Sequence, residues 1–146
     1  MMNTIRVKKL RAEAILPTYG TAGAAGADLY ACLDATICIA PGQTAFVPTG
    51  LSMEIPQGYA GLIYARSGLA CKQDLAPANK VGVIDSDYRG EFIVALHNHG
   101  SVSREISSGD RIAQLVITPV FTPEFEEVST LSETQRNQRG FGSTGI

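Results

Sequence analysis

The sequence predicts an all-β fold, either a barrel or a sandwich, with one short helix. Apolar and polar residues alternate in short runs, which is the period expected of half-buried strands. The 15 glycines and 7 prolines fall mostly between these runs, where they mark turns such as Pro41-Gly42. Runs this short, separated by turns at this spacing, are typical of all-β domains.

Several short segments carry the strand pattern. They are residues 5–8, 27–33, 36–39, 44–47, 51–55, 59–65, 81–84, 92–96, 111–120 and 125–128. Ser67–Gln73 is the one segment that predicts a helix, and it is barely two turns long. Rossmann and P-loop architectures need alternating strands and helices, so the pattern argues against both. The chain also lacks a glycine-rich loop ending in Gly-Lys-Ser or Gly-Lys-Thr.

The composition is that of one folded domain, with 45% hydrophobic and 18% charged residues in a chain of 146. The net charge is -2 and the longest basic run is Lys8-Lys9, which argues against a protein that coats nucleic acid but not against one that binds a small anion. Three cysteines without metal-ligand spacing favour a reduced environment. No apolar run reaches the ~20 residues of a membrane span. We therefore expect a cytoplasmic protein with no membrane partner.

Residues 132–146 form a polar tail that differs from the domain predicted at 1–131. The tail is rich in glycine and has a single aromatic residue, Phe141. It is either a frayed terminus or an arm that becomes ordered over a ligand, with Arg139 on an anion and Phe141 over a ring. Composition alone favours the frayed terminus.

Residues 79–92, NKVGVIDSDYRGEF, predict a hairpin whose turn carries two acids and a tyrosine. Asp85, Ser86 and Asp87 are of the types that cap a tight turn. The alternative is a nucleoside pocket, in which the Tyr88 ring packs on a sugar and a carboxylate takes a proton from water. Strand-end amides would pair there with a base edge.

Residues 65–70, ARSGLA, lie where a strand meets the predicted helix. Arg66 offers a planar fork for phosphate oxygens, and Ser67 is placed at the helix N-terminus. Gly68 allows the backbone to approach a ligand closely. The alternative is an ordinary N-cap serine beside a surface arginine.

Polar residues within other strands are also candidates. Gln114 lies among apolar neighbours and either faces outward or donates a hydrogen bond to a ligand. Asp28 follows a glycine-rich loop and either holds a metal-bound water or caps that loop. His97 and His99 share one face of a strand, but a metal shell needs a further ligand, so we interpret them as a solvent-facing strand end.

Taken together and in order, five segments resemble the motifs of the trimeric dUTPase family, the dUTP pyrophosphatases. They read AGADLYA (25–31), ARSGLA (65–70), NKVGVIDSDYRGEF (79–92), GDRIAQLVI (109–117) and RGFGSTG (139–145). The third segment and the tail are the most specific, and the resemblance spans nearly the whole chain. Ala65 stands where the family often has proline, and Ala27 stands where larger residues are common.

The resemblance implies a jelly-roll-like β-barrel that assembles as a homotrimer, with three active sites between subunits. It implies hydrolysis of dUTP to dUMP and pyrophosphate, with Mg²⁺ as the cofactor and a tail that closes over an active site. This reaction limits uracil incorporation into DNA and supplies dUMP for thymidylate synthesis.

The resemblance also implies roles for individual residues. Asp85 matches the general base that activates the attacking water, and Asp28 the carboxylate that meets magnesium through water. Tyr88 matches the ring that packs under deoxyribose and leaves no room for a 2′-hydroxyl. The other matched positions bind uracil (Asn79, Gly82, Ile84), the phosphates (Arg66, Ser67, Gly68, Gln114) and, from the tail, the base and γ-phosphate (Arg139, Phe141, Gly142, Ser143, Thr144).

Two competing functions remain open on the same fold. A dCTP deaminase, or a fused deaminase and pyrophosphatase, resembles this chain in the Arg-Ser segment, but it uses a glutamate near the hairpin and lacks the tyrosine matched by Tyr88. A non-catalytic trimer that has kept the fold and lost the chemistry is the second alternative. All five motifs retain their reactive residues, which favours the enzyme.

Overall fold

A computed structural model of the chain describes residues 4–140, and within them the fold is all-β with one short helix. The all-β prediction is confirmed. The strands are β1 (Arg6–Lys9), β2 (Thr18–Tyr19), β3 (Ala27–Tyr30), β4 (Ile37–Ile39), β5 (Thr44–Pro48), β6 (Leu51–Glu54), β7 (Tyr59–Tyr64), β8 (Leu75–Pro77), β9 (Gly82–Ile84), β10 (Ile93–Asn98), β11 (Arg104–Ile106) and β12 (Arg111–Pro119). The helix α1 spans Ser67–Gln73, as predicted.

The strands pair antiparallel in four sheets. The largest has the order β2-β3-β12-β7-β9, and a second has the order β5-β10-β8. The two smaller sheets are the pairs β1-β6 and β11-β4. Most neighbours in these sheets are distant in sequence, so the fold depends on long-range pairing rather than on local hairpins.

The core lies between the sheets and is built from the inward face of each strand. In β10 the burial alternates along the strand, so that Val94 and Leu96 point into the core while Ile93 is exposed. Asn98 is fully buried, and its amide nitrogen donates to the carbonyl oxygens of Ile39 and Val102 at 2.8 Å each. Burial also raises the pKa of the Cys32 thiol.

Two predictions about strands are wrong. The segment 125–128 is not a strand, because nothing in residues 4–140 pairs with it, and Phe125 is 98% exposed. The segment 79–92 is not a hydrogen-bonded hairpin, because β9 pairs with β7 whereas β10 pairs with β5 and β8. The sequence pattern did not predict the short strands β2, β8 and β11.

The helix α1 has seven residues. Within the described part of the chain, no helix has both the length and the apolar character needed to cross a membrane.

Candidate active site

The loop from Asp85 to Glu91 lies between β9 and β10. It carries Asp85, the predicted general base, and Tyr88, the predicted contact to the sugar. A backbone bond of 3.2 Å from the Tyr88 N–H to the Asp85 carbonyl closes its turn. The side chains of Asp85 and Asp87 accept no hydrogen bond from residues 4–140, so neither carboxylate caps the turn. Asp85, Tyr88 and Glu91 line a cavity of about 170 Å³, into which the carboxylate and the ring can both reach.

The Tyr88 ring is held in place from several sides. Its hydroxyl donates to the Glu91 carbonyl at 2.9 Å, and its ring packs against Phe92 with the centroids 6.2 Å apart. The ring also lies against the backbone of Gly90, where a Cβ atom would overlap it. Tyr88 is 42% exposed. Its orientation is nevertheless fixed, because these contacts hold the ring against the loop.

The residues matched to uracil binding lie along β9 and just before it. Asn79, Gly82 and Ile84 line a second cavity, of about 310 Å³. In its sheet β9 is the edge strand, paired only with β7, so the backbone amides of its outer edge are available to a ligand. A Cβ atom on Gly82 would lie 3.3 Å from the Ile63 Cβ and 3.4 Å from the Asn79 amide nitrogen, so these side chains pack closely around the glycine. A planar base with donors and acceptors along one edge suits such a strand.

A second polar group, which we call the Asp28 cluster, consists of Asp28, Arg66, Arg111 and Gln114. Asp28 lies on β3 and accepts from the Arg66 Nε at 2.8 Å, with the Arg111 guanidinium 3.5 Å away. It therefore does not cap the glycine-rich loop. Arg66 makes no other side-chain hydrogen bond in residues 4–140, so the two terminal nitrogens of its fork stay available.

The register of three strands assembles the Asp28 cluster. Gln114 on β12 stands opposite Asp28 on β3 and opposite Tyr64 on β7. The Gln114 Nε2 donates to the Ala65 carbonyl at 2.8 Å, just before Arg66. Gly26 makes this possible, because a Cβ atom there would overlap the glutamine side chain. Gln114 is thus partly buried and oriented toward the end of β7.

The start of α1 differs from an ordinary capped helix. Arg66 occupies the N-cap position and no side chain caps the helix, so the interpretation of Ser67 as the N-cap residue is wrong. Ser67 is instead the first helical residue and is exposed together with Gly68. A Cβ atom on Gly68 would meet nothing within 4 Å, so the space beside it is open to a ligand.

The 85–91 loop and the Asp28 cluster lie at opposite ends of the β7–β9 ladder. Ile84, just before the loop, pairs with Gly61, whereas Arg66 follows the far end of β7. Five residues of extended chain separate Gly61 from Arg66, which corresponds to about 17 Å. Neither of the two cavities described above is lined by Arg66 or Gln114, and neither is the larger cavity that Asp85, Ser86 and Asp87 line.

Asp28 is the acidic residue matched to magnesium, and its surroundings test that match. Within residues 4–140 no group of three or more His, Cys, Asp or Glu side chains is placed to hold a metal ion. Mg²⁺ is commonly bound by one or two carboxylates, waters and substrate phosphates rather than by a protein cage. As a single carboxylate, Asp28 suits an ion that is otherwise held by waters and substrate phosphates.

In the tail, Arg139 is exposed and its side chain bonds within its own turn, to the carbonyls of Gln135 and Arg136. Phe141, Gly142, Ser143 and Thr144 lie outside the described residues. For the tail residues, the roles stated above stay predictions.

Three features of these surroundings were not predicted. Arg111 belongs to the Asp28 cluster. The Glu91 carbonyl accepts the hydrogen bond of the Tyr88 hydroxyl, and Gly26 leaves space for the Gln114 side chain. Each of the three lies two or three residues from a candidate residue in the sequence, but nothing local marks its role. The rings of His97 and His99 are in contact, with centroids 4.6 Å apart, and His97 also bonds Thr44.

Comparisons with known proteins identify the family of this chain. A family model described as dUTPase matches residues 12–145. The deoxyuridine 5'-triphosphate nucleotidohydrolase of Syntrophotalea carbinolica is 49% identical over 143 residues, which cover 98% of this chain and 97% of the relative. The protein of the same name from Desulfitobacterium hafniense is 53% identical over 151 residues, which cover 99% of each.

Solved structures share the fold over the same extent. A mutant dUTPase of Staphylococcus bacteriophage 80alpha, solved with dUpNHpp, has a TM-score of 0.91 and 30% identity, covering 99% of this chain and 100% of that chain. A mutant dUTPase from phage phi11 of S. aureus, described with a structural Mg(II) ion, has a TM-score of 0.81 and 27% identity, covering 90% of this chain and 100% of that chain. The chain belongs to the dUTPase family.

Proposed function

We propose that this protein hydrolyses dUTP to dUMP and pyrophosphate through attack of water on the α-phosphorus. The observation that carries the proposal is the 85–91 loop. There a carboxylate without an internal partner and a fixed tyrosine ring line one cavity at the end of an edge strand. The uracil base, the deoxyribose and the attacking water thereby bind next to one another on one short segment.

Recognition of the nucleoside rests on β9 and the loop. The outer edge of β9 pairs with uracil, while Asn79, Gly82 and Ile84 line the cavity that receives it. The Tyr88 ring packs against the deoxyribose. Because the loop holds this ring, a ribose 2′-hydroxyl would have to displace it, which disfavours UTP.

Asp85 acts as the general base. Its carboxylate takes a proton from water as the water oxygen bonds to the α-phosphorus. The bond from that phosphorus to the oxygen bridging the α- and β-phosphates breaks, and pyrophosphate leaves with that oxygen. Positioning and neutralisation of charge supply most of the catalysis in phosphoryl transfer, so the phosphate contacts are as important as the base.

The Asp28 cluster holds the phosphates. The free fork of Arg66 pairs with phosphate oxygens, and the exposed start of α1 at Ser67 and Gly68 lies beside it. A magnesium ion bound with the triphosphate would neutralise part of its charge. Asp28 would then accept hydrogen bonds from waters on that ion, in place of part of its pairing with Arg66 and Arg111.

The active site is shared between subunits of a homotrimer. One chain places Arg66 about 17 Å along the sheet from the 85–91 loop, farther than a single triphosphate chain bridges with good geometry. A neighbouring subunit that presents its Asp28 cluster to this loop removes the gap. Residues 132–146 form an arm that closes over such a site, bringing Arg139, Phe141, Ser143 and Thr144 to the nucleotide.

Mixing two inactive variants tests the shared site. Asp85→Asn and Arg66→Ala subunits are unfolded together, refolded at equal amounts and assayed at a dUTP concentration far below the raised KM of Arg66→Ala, where each is nearly inactive alone. A site between subunits restores about a quarter of wild-type turnover, because one site in four combines an intact Asp85 with an intact Arg66. Sites contained within single chains would restore none.

The reaction itself is tested by pyrophosphate release in the presence of Mg²⁺ from dUTP, dTTP, dCTP and UTP in parallel. We expect release from dUTP alone, with dUMP as the other product. Uracil nucleotides formed from dCTP would indicate a deaminase. A folded protein inactive on all four would indicate the non-catalytic alternative.

A further inference from the structure

We propose that Glu91 is a positioning residue that holds the Tyr88 ring through its own backbone carbonyl and thereby sets the preference for deoxyribose over ribose. The inference rests on the proposed function, since Tyr88 is taken as the sugar contact. Glu91 touches neither the reacting atoms nor the phosphates in that assignment. It acts through the tyrosine.

The first half of the linkage joins Glu91 to the turn between β5 and β6. The Glu91 Oε1 accepts the Gly50 N–H at 2.8 Å, across 41 residues of sequence. Gly50 has a φ of 70°, and a Cβ atom there would meet Ala14 at 2.9 Å and Cys32 at 3.0 Å. The donor that holds the glutamate is thus part of a turn that only glycine fits.

The second half joins Glu91 to the ring. The Glu91 carbonyl accepts the Tyr88 hydroxyl at 2.9 Å. The same residue therefore binds the rigid turn with its side chain and the tyrosine with its backbone. Phe92, which follows, is fully buried and is fastened to that turn, where its carbonyl accepts the Thr49 hydroxyl at 2.6 Å. Through Glu91, the turn between β5 and β6 therefore fixes the position of the Tyr88 ring.

A ring held in this way discriminates better than a free one. Replacing a 2′-hydrogen by a hydroxyl adds one oxygen, which a loosely held side chain can accommodate by moving. A ring fixed by the hydroxyl bond, by Phe92 and by Gly90 cannot move without breaking the bond to Glu91. Loss of the Gly50 contact lets residue 91 and the ring shift together.

Glu91→Met and Glu91→Gln form the test pair, with kcat/KM measured on UTP and on dUTP. Methionine keeps the length of the side chain and loses the strong acceptor, so the UTP/dUTP ratio of kcat/KM is expected to rise about fivefold. Glutamine keeps an acceptor oxygen and is expected to return the ratio to within about twofold of wild type.

Ser52→Ala is the matched control. The Ser52 hydroxyl donates to the Arg89 carbonyl at 2.6 Å, so this variant loosens the same loop without touching Tyr88 or Glu91. Its ratio should stay at the wild-type value. An equal rise in Ser52→Ala, or an unchanged ratio in Glu91→Met, overturns the proposal.

Tyr88→Phe removes the hydroxyl that donates to the Glu91 carbonyl, so it breaks the same linkage at the ring. This variant keeps the test decisive if Glu91→Met does not fold. We expect its ratio to rise by a similar factor, and the double variant to show no further rise, because both changes remove one linkage. An unchanged ratio in Tyr88→Phe would refute the linkage. Wild-type protein inactive on dUTP would instead refute the proposed function, which separates the two failures.

Discussion

The 85–91 loop and the Asp28 cluster use polar side chains in opposite ways. On the loop, the Asp85 carboxylate has no hydrogen-bond partner in residues 4–140, although the Tyr88 ring and the side chains of Arg89 and Glu91 are held by hydrogen bonds. In the cluster, the charges are already paired, with Asp28 between two guanidiniums. In the proposed function, the loop is arranged for a reagent that is not part of the chain, water. The cluster would then exchange some internal pairing for phosphate contacts when the triphosphate binds.

This difference has an energetic consequence. Charge pairs within a partly buried cluster orient side chains in advance, so that little ordering remains when a triphosphate binds. An unpaired carboxylate at a loop costs little in the free protein because it is solvated. We therefore expect loop variants to change turnover, and cluster variants to change substrate affinity.

The largest effect is expected for Asp85→Asn, which keeps the size of the side chain and removes the base. Turnover of dUTP should fall about a thousandfold while KM changes little. Steady-state kinetics with titration of a non-hydrolysable dUTP analogue measures both quantities. Asp87→Asn, two residues away in the same turn, is the control and should keep most of the activity. Normal turnover in Asp85→Asn would remove the loop from the chemistry.

The next largest effect is expected from ending the chain at Gln138. This change removes Arg139 and Phe141 while leaving all described strands and the helix intact, so a folded protein of unchanged oligomeric state should turn over dUTP about a hundredfold more slowly. Size-exclusion chromatography and kinetics check the two parts. If the shortened chain hydrolyses dUTP normally, the tail is a frayed end, and the loop and cluster suffice.

Tyr88→Ala should sharpen the assignment of the loop to sugar recognition. Without the ring, the UTP/dUTP ratio of kcat/KM is expected to rise about tenfold, more than in Glu91→Met, where the ring remains. Parallel assays on the two nucleotides measure the ratio. A proportional loss on both substrates would show that the ring supports the loop and does not select the sugar.

The smallest effect is expected for Arg111→Gln. The Arg111 side chain is 53% exposed and lies 3.5 Å from Asp28, and such exposed pairs contribute little. Its KM for dUTP should rise about threefold with kcat unchanged. Arg66→Gln, the less exposed partner of the same carboxylate, should raise KM far more. Equal increases in KM would mean that both guanidiniums contribute equally to phosphate binding. That result would contradict the expectation, based on exposure, that Arg66 contributes most of it.

Local patterns were sufficient for many elements. The helix at Ser67–Gln73 and the cores of most strands followed from periodicity and turn residues, because these depend on a few neighbouring side chains. The segment 125–128 shows the limit of such patterns. It reads Phe-Glu-Glu-Val, in which two adjacent glutamates interrupt the alternation of a strand, and residues 4–140 offer it no partner edge.

The contacts of the candidate site also divide into those that a local pattern predicts and those that it does not. Asp85 and Tyr88 are three residues apart, so their proximity followed from the sequence once the loop was identified. The pairing of Asp28 with Arg66 joins residues 38 apart, and that of Glu91 with Gly50 joins residues 41 apart. No local period encodes such contacts, so both became visible only in the structure.

The sequence by itself determined the all-β class, the position of the helix, and the order of five segments that indicated the family. These properties depend on side-chain types and spacing along the chain. The tertiary structure alone decided that β9 and β10 join different sheets, that Arg66 keeps its fork free while holding Asp28, and that the loop and the cluster lie at opposite ends of one ladder. Strand register sets these relations, and register is an outcome of packing distant segments around a common core.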